Sequence, residues 1–251
     1  MAKVLVTGSS DGIGRETARE LAALGHQVVV HGRTRARAEG AVPGAQTWVC
    51  DFRSLDEVRS AAAELPAGLE VLINNAGVYT EERELTRDGF EATFQVNHLA
   101  HFLLTSLLLP SLAEGARIVN VSSQVHVSGE MRWDDLMGET GFSGYRAYAQ
   151  SKLANLLFTR ELARRQSKAT VNALHPGVIG TKLLQGGFGG LSGGSIAQGA
   201  ETPVYLATSP EVAGVTGKYF VRSRETPPAP QALDDAAARK LWEISQRLCR
   251  M

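Results

Sequence analysis

The strongest constraint on this chain lies in its first two dozen residues. Residues 3–7 form a short apolar run of buried-strand type, and Thr7-Gly8-Ser9-Ser10-Asp11-Gly12-Ile13-Gly14 follows at once, opening the helical pattern Ile13, Thr17, Leu21, Leu24. Three glycines at a strand-to-helix junction let the backbone turn tightly and approach a pyrophosphate, which the free N–H groups and dipole of the helix N-terminus then stabilise. An ordinary glycine-rich loop can carry the same letters. The strand before and the helix after favour nucleotide binding, with Gly8, Ser10, Asp11, Gly12, Ile13 and Gly14 as the candidate contacts.

The pattern then repeats. Gly25 ends the first helix and residues 27–31 form a second apolar strand, closing a βαβ unit. A fold that binds NAD usually shows an acid near the end of that strand, to hold the ribose hydroxyls. Here the stretch is His31-Gly32-Arg33-Thr34-Arg35, without an acid. Arg33 is instead placed to form charge-assisted hydrogen bonds to a 2′-phosphate, and Arg15, Arg35 and Arg37 either add weaker attraction or remain solvated charges. Strand three (47–50) ends in Asp51-Phe52, where Asp51 is a candidate acceptor for an adenine amino group and Ser54 the better helix cap. A helix (54–65) and strand four (69–73) follow, and further strand runs lie at 117–121, 170–174 and 219–221. Alternating strands and helices with short connections predict an α/β fold: a single-domain Rossmann architecture over 1–251, with a doubly wound, parallel seven-stranded sheet and helices on both faces.

Chemistry-bearing residues fall at the carboxyl ends of these strands, where open α/β sheets place their ligands. Asn74-Asn75-Ala76-Gly77 ends strand four, and Ser122-Ser123 ends strand five. A long helix over residues 90–109 contains Asn97, which is costly to bury unless hydrogen-bonded; a satisfied structural amide and a site residue are equal readings. Tyr148 and Lys152 are four apart on a helix, so phenol and ammonium address one small volume. A unit charge about 4 Å away at an effective dielectric of about 20 is worth roughly 4 kcal/mol, enough to bring a phenol from about 10 to about 7. A lowered Tyr148 pKa is therefore expected. Tyr145 is no rival, since Ala149 stands four beyond it.

After strand six, His175-Pro176-Gly177 breaks the chain, with His175 read as a packed histidine. Residues 186–194 hold six glycines in nine positions, read together with about 183–208 as a lid over a cleft. A proline-rich linker (226–230) and an amphipathic helix (about 233–248) end the chain. Residues 1–125 are assigned mainly to cofactor and 126–251 mainly to catalysis and substrate.

Composition excludes several classes. Lysine plus arginine number 26 against 26 aspartate plus glutamate, so neither nucleic acid nor an anionic membrane is the expected principal partner. The two cysteines, Cys50 and Cys249, lack metal-like spacing, which predicts no metal, no disulfide framework and a reduced, cytoplasmic setting. The opening residues lack a signal-peptide pattern, and no run approaches the roughly 20 apolar residues of a membrane span.

Taken together, the glycine turn (7–14), Asn74–Gly77, Asn97, Ser123, and Tyr148 with Lys152 resemble the short-chain dehydrogenase/reductase family, in its order and over essentially the whole chain. Residues 94–102, 151–155 and 217–220 are similar to its retinol-dehydrogenase-like branch, as is the 25-residue separation of Ser123 from Tyr148. Animal members of that branch commonly carry a membrane-anchoring N-terminus, and the absence of one here points to a soluble relative. The resemblance implies that Tyr148 is the general acid in carbonyl reduction and the base in alcohol oxidation. It implies that Lys152 lowers the Tyr148 pKa and holds the nicotinamide ribose, that Ser123 orients the carbonyl oxygen, and that Asn97 steadies Lys152 through water. It implies cofactor contacts at Asp51, Phe52, Asn75, Ala76, Gly77, Pro176, Gly177, Val178 and Thr181. The expected cofactor is NADP, with NAD the alternative, and the expected partner is a fairly apolar alcohol or carbonyl compound, with homodimer and homotetramer both open. Two rival readings are a catalytically idle NADP(H)-sensing regulator and an epimerase or dehydratase with tightly held NAD.

Overall fold

The apolar runs become strands because side chains at successive positions enter two different cores. In β1 (Lys3–Val6), Leu5 faces one core while Val4 and Val6 face the other; in β2 (Gln27–Gly32), Val29 and the pair Val28/Val30 divide in the same way. This computed structural model describes residues 1–183 and 193–251. Its sheet also contains β3 (Gln46–Val49), β4 (Val71–Asn74), β5 (Ala116–Val121), β6 (Ala169–His175), β7 (Tyr219–Val221) and β8 (Arg224–Glu225), in the order β3-β2-β1-β4-β5-β6-β7-β8. The first seven pair in parallel, as expected.

The eighth strand is an addition to the seven expected. It pairs antiparallel with β7 through a two-residue turn in which Arg222 (φ 50°) and Ser223 (φ 58°) both lie in the left-handed region. Such a turn favours Asn-Gly or Gly-Gly. Arg-Ser carries none of that signal, so the sequence reads as a strand followed by a linker.

Helices α1 (Gly12–Ala23) and α7 (Ile196–Thr208) cover one face through Leu21, Ala18 and Leu206. The other face is covered by α3 (Leu55–Ala62), α6 (Gly144–Arg165) and a continuous helical rod: α4 (Ala92–Phe94), a π-helical turn (Gln95–Leu99) and α5 (Ala100–Leu108). Fully burying a side chain such as Phe102 or Leu153 contributes about 1.5–3 kcal/mol. The closing helix α8 (Asp235–Leu248) lays Leu241 and Trp242 on this second layer, with the Trp242 ring 4.9 Å from that of Phe102. Between β2 and β3 there is only α2 (Arg35–Ala38), a single turn.

Strand order reverses between β1 and β4, so the loops leaving their carboxyl ends run to opposite sides and open a crevice. Of the expected lid, residues 184–192 lie outside the described residues. Among the described residues, Gly194 bridges to Ile179 and Ser195 caps α7 in a reciprocal box with Gln198. No helix among them is long and apolar enough to cross a membrane.

Candidate active site

The crevice is organised by one hydroxyl. Thr7 Oγ1, at the end of β1, accepts the backbone N–H groups of Asn75 (2.8 Å) and Ala76 (2.9 Å). It also meets His101 Nε2 at 2.9 Å. Because His101 Nδ1 faces the Asn97 carbonyl at 3.1 Å and must carry the proton, Nε2 accepts and Thr7 donates. The amide Nδ2 of Asn75 returns a bond to Thr7 O at 2.7 Å. The ends of β1 and β4 are therefore one hydrogen-bonded unit.

Two glycines permit that closeness. Gly8 adopts φ +65°, and a Cβ on it would stand 2.7 Å from Ala76 Cα. A Cβ on Gly14 would press on Asn75 Nδ2 and lie 2.6 Å from Gly8 O. Gly14→Ala is thus expected to cost about 1–3 kcal/mol by overpacking, lowering Tm by about 2–4 °C per kcal/mol at this chain length. A melting temperature unchanged within a degree would show that the turn relaxes freely.

A cavity of about 620 Å³ follows the carboxyl ends of the strands. Gly8, Ser10, Asp11, Gly12, Ile13 and Gly14 line it, as do Arg33, Asp51 and Phe52, and Asn75, Ala76 and Gly77. Ser123, Tyr148 and Lys152 line it as well, together with Pro176, Gly177, Val178 and Thr181. Asn97 does not reach the wall and sits behind Val78. Arg37 and Arg53 line the cavity, whereas Arg15 and Arg35 do not. Ser54 caps α3 by accepting from Glu57 N, and Asp51 Oδ1 accepts from Arg53 N at 3.0 Å. The backbone cradle, the positive φ of Gly8 and the cationic wall suit a dinucleotide with its phosphates. Lys182, 2.5 Å from Asp11 Oδ2, ties the segment after β6 to the glycine turn.

His31 and His175 also line the cavity, and no sequence motif marked their work. Gly8 N donates to His31 Nδ1 at 2.8 Å, while His31 Nε2 donates to Cys50 O at 2.8 Å. The ring stacks on Phe52 at 4.5 Å, and burial lowers its pKa to about 4. A neutral imidazole thus fixes the glycine turn.

On α6, Tyr148 and Lys152 share one face as the spacing requires, with Lys152 Nζ 5.5 Å from the centre of the phenol ring. Both are buried, at 6% and 3% exposure. Lys152 Nζ donates to Val121 O at 2.9 Å, and burial brings its pKa down to about 8. The expected lowering of the Tyr148 pKa is not found. Burial pushes the phenol above its ordinary value, against a smaller opposing pull from its hydrogen bond with Ser123. Removing water from a phenolate costs more than that hydrogen bond returns. The edge of Tyr79 completes the enclosure, 5.9 Å from Tyr148 between ring centres.

Asn97 occupies the π-helical turn, a feature frequent at functional sites. Its Oδ1 accepts from Val78 N at 2.8 Å, and its Nδ2 donates to Val78 O and to Ser151 Oγ, both at 3.0 Å. The amide therefore reaches the segment after β4 and helix α6 at once. A Cβ on Gly77 would lie 3.5 Å from Asn97 Oδ1 and 3.7 Å from Lys152 Nζ, so both groups border the same small gap.

A phosphate-type cradle at a topological switch point, with a buried Tyr/Lys pair and a serine hydroxyl on the same cavity, defines a class of nucleotide-dependent oxidoreductase folds. The chain belongs to the short chain dehydrogenase family, whose model matches residues 2–188. It is 43% identical to retinol dehydrogenase 14 of Mus musculus, over 97% of this chain and 84% of that protein. It is 41% identical to retinol dehydrogenase 13 of Homo sapiens, over 98% and 83%. A crystal structure of an uncharacterised protein from Mycobacterium paratuberculosis superposes with a TM-score of 0.87 at 34% identity, covering 100% of this chain and 94% of that one. A short chain dehydrogenase from Burkholderia cenocepacia J2315, solved in complex with NADP, superposes at 0.71 with 29% identity, covering 87% and 95%.

Proposed function

We propose that this protein is an NADP(H)-leaning oxidoreductase that interconverts an alcohol with a ketone or aldehyde on a fairly apolar small molecule. The observation that carries the reading is the convergence of Ser123, Tyr148 and Lys152 on the cavity that also holds the glycine cradle. A nicotinamide cofactor, when bound, supplies or removes the hydride. In the reductive direction Ser123 Oγ donates a hydrogen bond to the substrate oxygen, and Tyr148 gives that oxygen its proton. The raised Tyr148 pKa suits this step, because the phenol stays protonated and available near neutrality. Lys152 places a cation beside the phenolate that is left and holds the nicotinamide ribose. Asn97 supports the arrangement through the Val78 backbone and Ser151.

Val125, Val178, Ile179 and Ile196 add apolar wall to the same cavity, which supports an apolar substrate. The names of the relatives add retinol to the compounds worth testing. The reading keeps residues 1–125 mainly for cofactor and 126–251 mainly for catalysis and substrate. It places the protein in a reduced, cytoplasmic setting, supported by the buried thiols of Cys50 and Cys249. The test is a panel of ketones, aldehydes and alcohols including retinol and retinaldehyde, followed by nicotinamide absorbance with each cofactor. Cofactor binding without net turnover of any member would favour an idle sensor, or an epimerase or dehydratase.

Preference for NADPH over NADH rests on the end of β2. At Gly32 a Cβ would already lie 3.0 Å from Ala38 Cβ and 3.2 Å from Ser10 Cβ, so the position has no room for an acid without movement. Arg33 follows, with Arg37 and Arg53 lining the same cavity. A charged hydrogen bond is worth about 1.5–3 kcal/mol, a preference of roughly ten- to hundredfold. Arg33→Ala should remove most of that ratio and leave NADH use nearly unchanged; equal use of both cofactors by the wild type would contradict the assignment.

A further inference from the structure

Beyond Val121 the sheet stops holding the chain that carries Ser123. The last ladder bond runs from Ser122 N to Leu174 O at 2.8 Å. The peptide unit joining Ser123 to Gln124, just beyond it, is held by two histidine rings, beside a turn bond from His126 N to Ser123 O at 3.2 Å. His126 Nδ1 donates to Ser123 O at 2.7 Å, and Gln124 N donates to His175 Nδ1 at 3.2 Å. The carbonyl and the N–H of one peptide plane are thus each tied to an imidazole, from opposite sides.

The partners fix both tautomers, because each is a group of one polarity. A carbonyl only accepts, so His126 carries its proton on Nδ1; its Nε2 accepts from Ala229 N at 3.1 Å. A backbone N–H only donates, so His175 Nδ1 is bare. Burial disfavours the charged form of both rings, lowering His175 to about 4 and His126 below the ordinary range, so one tautomer of each persists near neutrality. Behind His126 the chain after β8 acts as a strap: Gln231 Nε2 donates to Val127 O at 2.8 Å, and the Tyr219 ring stands edge-on, 5.0 Å away between centres.

We propose that His126 and His175 are positioning residues that clamp the Ser123–Gln124 peptide and so aim the Ser123 hydroxyl at Tyr148 and the substrate oxygen. The proposal rests on the catalytic reading of Ser123 given above. Ser123 is extended (φ −158°, ψ 157°), and rotation about its ψ would turn the following peptide plane and break both imidazole bonds, leaving its carbonyl only the longer turn bond from His126 N, at 3.2 Å. Its own side chain accepts only a long bond from the backbone, from Val125 N at 3.4 Å, and its bond with Tyr148 is the contact the clamp would aim. A displacement near 1 Å at such a group costs up to about a hundredfold in rate.

The experiment compares His126→Leu and His175→Leu with His126→Asn and His175→Asn, in wild-type and Ser123→Ala backgrounds. Asparagine returns a donor Nδ2 near the place of His126 Nδ1 and an acceptor Oδ1 near that of His175 Nδ1. Turnover is read with retinaldehyde and decanal, NADPH affinity by fluorescence titration, and amide exchange at Gln124 in the enzyme loaded with NADP. The leucine variants should lose about ten- to hundredfold in kcat, with NADPH affinity nearly unchanged in His126→Leu, whose ring does not line the cavity, and the asparagine variants should regain most of the rate. Gln124 should exchange faster in His175→Leu and be protected again in His175→Asn. In the Ser123→Ala background the leucine changes should add little, since coupled residues are not additive. Unchanged kcat in the leucine variants, equal loss of rate and NADPH affinity in His126→Leu, or no rescue by asparagine would overturn the clamp. If Ser123→Ala itself kept full turnover, the catalytic reading of Ser123 would fall and the aiming role with it. If neither carbonyl is turned over, unchanged Gln124 exchange in His175→Leu would still overturn the clamp.

Discussion

Tyr148→Phe is expected to reduce carbonyl turnover by about a hundredfold to ten-thousandfold, the range attributed to a positioned acid or base, while NADPH affinity stays within a few fold. The ring remains against Tyr79 and beneath the cavity, so packing and the edge-on contact survive. Only the proton donor and its bond to Ser123 are removed. Because burial already holds the phenol neutral, the wild-type enzyme should reduce carbonyls with little loss toward mildly acidic pH. Near-wild-type rates in Tyr148→Phe, measured by NADPH consumption, would remove Tyr148 from the reaction.

Lys152→Met is expected to harm two quantities together. Its ammonium lies 5.5 Å from the centre of the phenol ring, and the residue lines the cofactor cavity. Loss of a charged contact should weaken NADPH binding by about ten- to hundredfold, with a further fall in kcat from the unsupported phenolate. Lys152 also gives the pH profile a sign. With its pKa lowered to about 8, the ammonium needed by the reaction is present below that value, so kcat for reduction should decline as pH rises through it. Stability runs the other way. Between about pH 8 and 10 the unfolded chain binds a proton on Lys152 that the folded chain does not, so wild-type stability should rise with pH relative to Lys152→Met. A Lys152→Met enzyme that keeps both NADPH affinity and the alkaline decline would contradict the double role.

The sequence by itself determined whatever depends on local period and local chemistry. Apolar runs of strand length alternating with helical patterns specify a parallel sheet, because a strand buried on both faces reads as continuous Val, Leu and Ile. A glycine turn between a strand and a helix is legible for the same reason, as is the Tyr148/Lys152 pair, whose separation is one helical turn. The π-helical turn at Gln95–Leu99 was not legible. It is accompanied by Asn97 bonds to Val78 and Ser151, 19 and 54 residues away in the chain. The hairpin at Arg222-Ser223 was hidden by residues that do not favour its conformation. That Arg37 and Arg53 line the same cavity as Arg33 was decided by how α2 and the end of β3 fold back toward β2. Four histidines that read as scattered letters became holders of the site: His31 on Gly8, His101 on Thr7, and His126 and His175 on one peptide. Even the direction of the Tyr148 pKa was decided by tertiary structure. Spacing supplied a cation one turn away, but the sign of the shift depends on how much water the fold removes from the phenol. Desolvation and long-range hydrogen bonds are properties of the packed layers, and residues far apart in the chain create them together.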